Sequence, residues 1–154
     1  MPSVTYEELL KRDGRIATHV VGTSMLPLLL NRDSIVVVED ARRVPPRRGD
    51  VVLYNIGGTY ILHRVLRVES DEYIIRGDNT WTLERMPKAS LLATMTGFYR
   101  HSESKLVSRD SVMYRLYCLS HPVIRLSWRY GSWLRRAIRK ICAIAASARK
   151  QDRK

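Results

Sequence analysis

The sequence predicts a mainly β protein: a compact, coiled β-domain with a short N-terminal helix and a basic C-terminal helical tail. Three observations predict it. Short runs rich in Val, Ile, Leu and Tyr recur between turn signals from residue 16 to residue 99. No long helix separates successive runs, which disfavours a parallel crossover sheet. Charge is segregated: residues 1–110 hold 16 basic side chains against 14 acidic, and residues 111–154 hold 11 against one. A chain of 154 residues can bury one real core but has little room for separate cofactor and substrate lobes. The expected division is a β-domain over residues 1–105 and a tail over residues 106–154.

The elements follow in order. TYEELLKRD (5–13) begins with Thr5 and has Glu8 three positions later, the spacing of a capping box, so a helix is expected to end near Gly14. Strands are expected at 16–21, 34–40, 50–55, 59–69, 72–77 and 91–99. Their breaks fall at NRD (31–33), VPPRRGD (44–50), IGG (56–58), SD (70–71) and GDN (77–79), where Gly, Pro, Asn and Asp supply turn geometry. HSESKLVSRD (101–110) reads as a polar connector. Beyond it, 113–119 and 123–146 read as helical, with a break at Pro122. In the second segment Ile124, Leu134, Ile138, Ile141 and Ala145 alternate with Arg135, Arg136, Arg139 and Lys140, an amphipathic basic face.

Several classes are disfavoured at once. No window holds 18 consecutive apolar residues and the first 15 residues lack an apolar signal-peptide core, so no bilayer span is expected. A cytoplasmic protein is the expectation, with peripheral attachment to the membrane through its tail as one of two readings of that tail. Cys118 and Cys142 stand at no metal-ligand spacing, which argues against a disulfide framework or a zinc site, and no metal or cofactor is expected.

Three stretches combine a reactive side chain with a strong local signal. GTSMLPLL (22–29) offers the Ser24 hydroxyl, with Gly22 to admit a close approach and Pro27 to stiffen the loop. YILHRVL (60–66) places His63 on the strand face of Ile61 and Val65, opposite Arg64. If that face is buried, desolvation keeps the imidazole neutral and able to accept a proton near pH 7. RGDN (76–79) brings Asp78 out directly after an apolar strand. Each stretch alone has a plainer reading: a solvated loop serine, a core histidine, an ordinary turn.

Together and in this order, GTSMLP, GDVVLY, ILHRV and RGDN resemble the signal peptidase I and SOS-repressor superfamily of serine endopeptidases, over about half of the chain. The resemblance implies that β-domain and an acyl-enzyme hydrolysis of a peptide bond. It implies Ser24 as nucleophile, followed by Met25 and Pro27 as in the Ser-Met-x-Pro box. At the general-base position, bacterial signal peptidases and repressors have a lysine, whereas the archaeal and endoplasmic-reticulum type has a histidine, matched here by His63. It implies Asp78 as the acid that orients the histidine, with Glu84 the nearest candidate for the second acid found in that branch.

A serine hydroxyl needs an adjacent uncharged base, and histidine reaches that state with a small shift. Oxyanion donors are expected from the backbone N–H of Ser24 and a neighbour, because Gly22 has no hydroxyl to offer. The expected partner is a leader, signal or other precursor peptide. The tail (123–154) is expected either to lie on an anionic membrane surface or to pack on the β-domain, and the apolar run MLPLLL (25–30) to meet lipid or substrate. Nucleic acid is the least favoured partner. The alternative function is a non-enzymatic basic adaptor on the same fold.

Overall fold

The computed structural model describes residues 4–101, 105–123 and 131. Helix α1 (Tyr6–Asp13) starts where Thr5 Oγ1 accepts the Glu8 N–H and Glu8 Oε2 accepts the Thr5 N–H, a complete capping box. It ends at Gly14, whose φ of 71° is left-handed and whose N–H closes on the Leu10 carbonyl. Eight strands follow: β1 (Arg15–His19), β2 (Ile35–Asp40), β3 (Val51–Ile56), β4 (Thr59–Val68), β5 (Glu72–Arg76), β6 (Glu84–Pro87), β7 (Leu91–Tyr99) and β8 (Val107–Ser108). They form one sheet in the order β1-β2-β7-β3-β4-β5-β6, with β8 on β7, and every pairing is antiparallel. The mainly β architecture with a short N-terminal helix is therefore the one the sequence predicts.

Both faces of the central strands are covered, which explains why β3 reads as a nearly continuous apolar run rather than a strict alternation. Val51 and Leu53 join a cluster with Leu10, Met25, Leu29 and Val36, while Val52 and Tyr54 join Val65, Tyr73, Ile75 and Met86 on the other side. Register shifts at Val37/Val38, Leu53/Tyr54 and Val65/Arg67 bend the strands and add twist.

Three expectations need correction. Strands β6 and β8 lie where only loop was expected, because ERMP shows no apolar alternation and β8 pairs just two residues. The boundary after residue 105 falls inside a compact unit, Met1–Cys118, because β8 joins the sheet and Tyr114 is buried in the core; the second unit is Leu119–Lys154. Residues 112–123 are helical on both sides of Pro122, so the break expected there is absent. Proline removes one N–H and crowds one carbonyl, but its φ is helical and does not by itself end a helix. The amphipathic pattern expected over 124–146 lies outside the described residues, Gly131 excepted. Among the described residues, no helix is long and apolar enough to cross a membrane.

Candidate active site

Ser24 sits in the loop joining β1 to β2. The stem of that loop is closed by Val20 N–H to the Ser34 carbonyl (2.9 Å) and Arg32 N–H to the Val20 carbonyl (2.7 Å). Its base is anchored by Ser34 Oγ, which accepts the Leu30 N–H and donates to the Arg100 carbonyl. Met25, Leu28 and Leu29 plunge into the core and are all but fully buried. For these three residues of MLPLLL the core, not lipid or substrate, takes the side chain, and their burial is what holds the loop in place; Leu26, Pro27 and Leu30 are half-buried. Met25 accordingly offers the site its backbone, not its side chain, while Pro27 is half-buried behind it.

A Cβ on Gly22 would meet no atom of the protein within 4 Å, so the space beside it is open, and its φ of 107° is one that favours glycine. Its N–H is taken by Asn31 Oδ1 at 2.9 Å. By contrast, among the described residues neither the Ser24 hydroxyl nor the N–H groups of Ser24 and Met25 has a hydrogen-bond partner. Ser24 and Met25 border a cleft of about 490 Å³ whose walls include Val20, Tyr6, Tyr60 and Leu62. His19 lies on the same wall, and His101 pairs instead with Asp33 through Nδ1.

His63 is placed by the β3–β4 hairpin, in which Tyr54 pairs with Ile61 and Val52 with His63. The His63 side chain is 7% exposed. Its Nδ1 lies 2.8 Å from the Tyr54 hydroxyl and 3.1 Å from Glu84 Oε1, and the Tyr54 hydroxyl donates to Glu84 Oε2 at 2.6 Å. With Glu84 ionised, every proton in this triangle has a place if Nδ1 bears the ring hydrogen and Nε2 is bare. Burial lowers the pKa of His63, opposed by the nearby carboxylates of Glu84 and Asp78, and burial together with Glu84 pushes the Tyr54 phenol up.

Nε2 faces the turn after β5. It lies 3.0 Å from where a Cβ on Gly77 would stand, and the Ser24 carbonyl oxygen lies 2.7 Å from the same point. The two are therefore no farther apart than those distances combined, and only glycine fits between them. Asn79 sews the turn to the serine loop: its N–H donates to the Ser24 carbonyl at 2.7 Å and its Nδ2 to the Thr23 carbonyl at 3.2 Å. Three of the four motifs, distant in sequence, meet around Gly77, and the fourth reaches them through Tyr54 on His63.

Asp78 does not take the place expected for it. Both its oxygens receive the Arg64 fork, Nε to Oδ1 and Nη2 to Oδ2 at 2.7 Å each, and Tyr117 donates to Oδ2 at 3.0 Å. The hydrogen bonds of His63 run to Tyr54 and Glu84 instead. The reason is competition: a planar guanidinium binds a carboxylate with two charge-assisted hydrogen bonds, and a neutral imidazole can offer one. Arg64 is 3% exposed; burial works against its charge, but Asp78 outweighs that and holds its pKa well above the usual value. The second acid, Glu84, is thus the one at the imidazole. It reaches His63 because β6 pairs with β5, Glu84 opposite Ile75, at the level where β5 borders β4.

Sequence reasoning passed over Tyr54, Arg64, Gly77 and Asn79. The two-residue turn Gly57-Gly58 contained the missing signal for Tyr54: it sets the hairpin register and hence makes Tyr54 the diagonal neighbour of His63. Among the described residues no group of three or more His, Cys, Asp or Glu side chains could hold a metal ion.

A sequence model of the peptidase S24-like family matches residues 3–91, more than half of the chain. The chain belongs to the peptidase S24-like family. No curated protein and no solved structure was found to match it. The family match spans Ser24, His63, Asp78 and Glu84, so the whole cluster around Gly77 falls inside the S24-like region. The helical residues 112–118, which supply Tyr114 and Tyr117, fall outside it.

Proposed function

We propose that this S24-like protein is a serine endopeptidase of the histidine-base, signal-peptidase-like type, cutting a leader, signal or precursor peptide. Ser24 attacks the scissile carbonyl, His63 Nε2 takes the hydroxyl proton and later returns it to the leaving amine, and Glu84 holds Nδ1 and stabilises the imidazolium. The N–H groups of Ser24 and Met25 receive the oxyanion. Asp78 supports the geometry through Arg64 rather than touching the base.

The single observation behind this reading is the polarity of His63: Nδ1 is held by a carboxylate and a phenol, and Nε2 is turned toward the serine loop. A core histidine satisfied for packing alone has no need of a bare nitrogen facing a serine with unengaged backbone donors. Two further features support a peptide substrate. The cleft beside Ser24 is lined mostly by apolar and aromatic side chains. Strand β1 stands at one end of the strand order and leads directly into the serine loop, so its outer edge suits an extended chain.

The test is cleavage of a peptide library by the wild-type protein and by Ser24→Ala, with new termini mapped by mass spectrometry. The expected result is discrete cleavage by the wild type and its loss, by more than 10³-fold, in a folded Ser24→Ala protein. Equal cleavage by both removes Ser24 as nucleophile, and no cleavage by either leaves the adaptor reading.

A further inference from the structure

The helical segment 112–118 lies outside the S24-like match yet closes over a buried pair inside it, Arg64 and Asp78. Tyr114 and Tyr117 both bring their rings against the guanidinium, with ring centroids 5.6 and 5.4 Å from the Arg64 Cζ. Arg64 Nη1 donates to the Gly49 carbonyl (2.6 Å), the Tyr114 hydroxyl (3.0 Å) and Cys118 Sγ (3.2 Å). The Tyr114 hydroxyl donates onward to Gly49. The Tyr117 hydroxyl bypasses the arginine and donates directly to Asp78 Oδ2. Asp78 lies between Gly77, which Ser24 and His63 flank, and Asn79, whose N–H holds the Ser24 carbonyl. Hydrogen bonds and the peptide link between Asp78 and Asn79 therefore connect the segment 112–118 to the backbone of the proposed nucleophile.

We infer that Tyr117 is a positioning residue: its hydroxyl on Asp78 sets the turn 77–79 and, through Asn79, the placement of Ser24 against His63. The segment 112–118 is then part of the catalytic apparatus although it lies beyond the S24-like region. The physical case is that a carboxylate in a dry cage is oriented by every donor it has. The Arg64 fork fixes its plane, and the phenol fixes the rotation of that plane about the turn. Loss of one donor leaves the ion pair intact but lets the turn pivot, and small misplacements of reacting groups are costly in rate. This inference rests on the endopeptidase reading for its kinetic consequence but not for its structural one.

The test is Tyr117→Phe, which keeps the ring over Arg64 and removes the hydroxyl, read in two ways. Amide hydrogen exchange at Asn79 is expected to speed up about fivefold or more, the loss of roughly one hydrogen bond, while Val65, held to the Asp50 carbonyl at 2.8 Å, is unchanged. In the cleavage assay kcat is expected to fall about fivefold or more with KM unaltered. Uniform acceleration at both amides would reduce Tyr117 to a general stabiliser and overturn the inference, as would unchanged exchange at Asn79. Faster Asn79 exchange with unaltered kcat, in a protein whose Ser24→Ala variant is inactive, would overturn the catalytic half. Failure of the endopeptidase reading shows separately, as cleavage that does not depend on Ser24.

Discussion

Glu84→Gln is expected to lower kcat by about 10³ to 10⁴ fold, the loss that follows when a serine–histidine pair is deprived of its carboxylate. The substituted amide keeps the shape of the side chain but not its charge. It can present its NH₂ group to Nδ1, which then becomes the acceptor and sends the ring proton to Nε2, the nitrogen that must be bare. The imidazolium formed during attack also loses its counter-charge in a site where the His63 side chain is 7% exposed. Glu84 is itself partly solvated, with 28% of its side chain exposed, so the change should leave stability nearly untouched and KM within a few fold. Steady-state kinetics on the peptide identified by library cleavage checks the split. A variant within tenfold of wild type in kcat would show that the carboxylate is dispensable and would return the base assignment to open competition.

Asp78→Ala is expected to act on stability first. Its partner Arg64 stays buried with its charge uncompensated, a situation that costs about 3 to 5 kcal/mol. A domain of this size has only about 5 to 15 kcal/mol in total, so the denaturation midpoint should fall steeply. The double replacement of Arg64 by Met and Asp78 by Leu should lose less than Asp78→Ala alone, because it removes both desolvation penalties together. Urea unfolding of the three proteins checks this. Equal stability of Asp78→Ala and wild type would mean that Arg64 finds water or another partner, and that the pair is not the buried unit described above. The contrast between the two carboxylates is the useful part: Glu84 should be lost through kcat, Asp78 through the fold.

How far the sequence foretold these roles can be traced residue by residue. Local chemistry was legible where it is encoded locally. Thr5, Glu8 and Gly14 mark both ends of α1, and six of the eight strands follow from apolar runs between Gly, Pro, Asn and Asp turns. The meeting of GTSM, ILHRV and RGDN was legible only through resemblance, since nothing in their spacing shows that Gly77 ends up between Ser24 and His63.

The division of labour between Asp78 and Glu84 was not legible, for a definite reason. It depends on the β5–β6 register, which sets Glu84 opposite Ile75, and on Arg64 outbidding His63 for Asp78. The strand β6 that delivers Glu84 has no periodic signature, and a strand position says which face a side chain takes but not which rival it meets there. Likewise MLPLLL reads as an apolar loop; its burial follows only once the cluster of Leu10, Val36, Val51 and Ala93 beneath it is known.

The most direct measurement is an NMR titration of His63 in uniformly ¹⁵N-labelled protein, following both ring nitrogens with pH. Burial disfavours the imidazolium more than Glu84 and Asp78 favour it, so the midpoint must lie below 6.5, the ordinary histidine value. At pH 7 the ring should be neutral with the proton on Nδ1 and a bare Nε2, and it should charge, losing its capacity as a base, only as pH falls through that lower midpoint. A ring that is cationic at pH 7, or neutral with its proton on Nε2, would contradict the account.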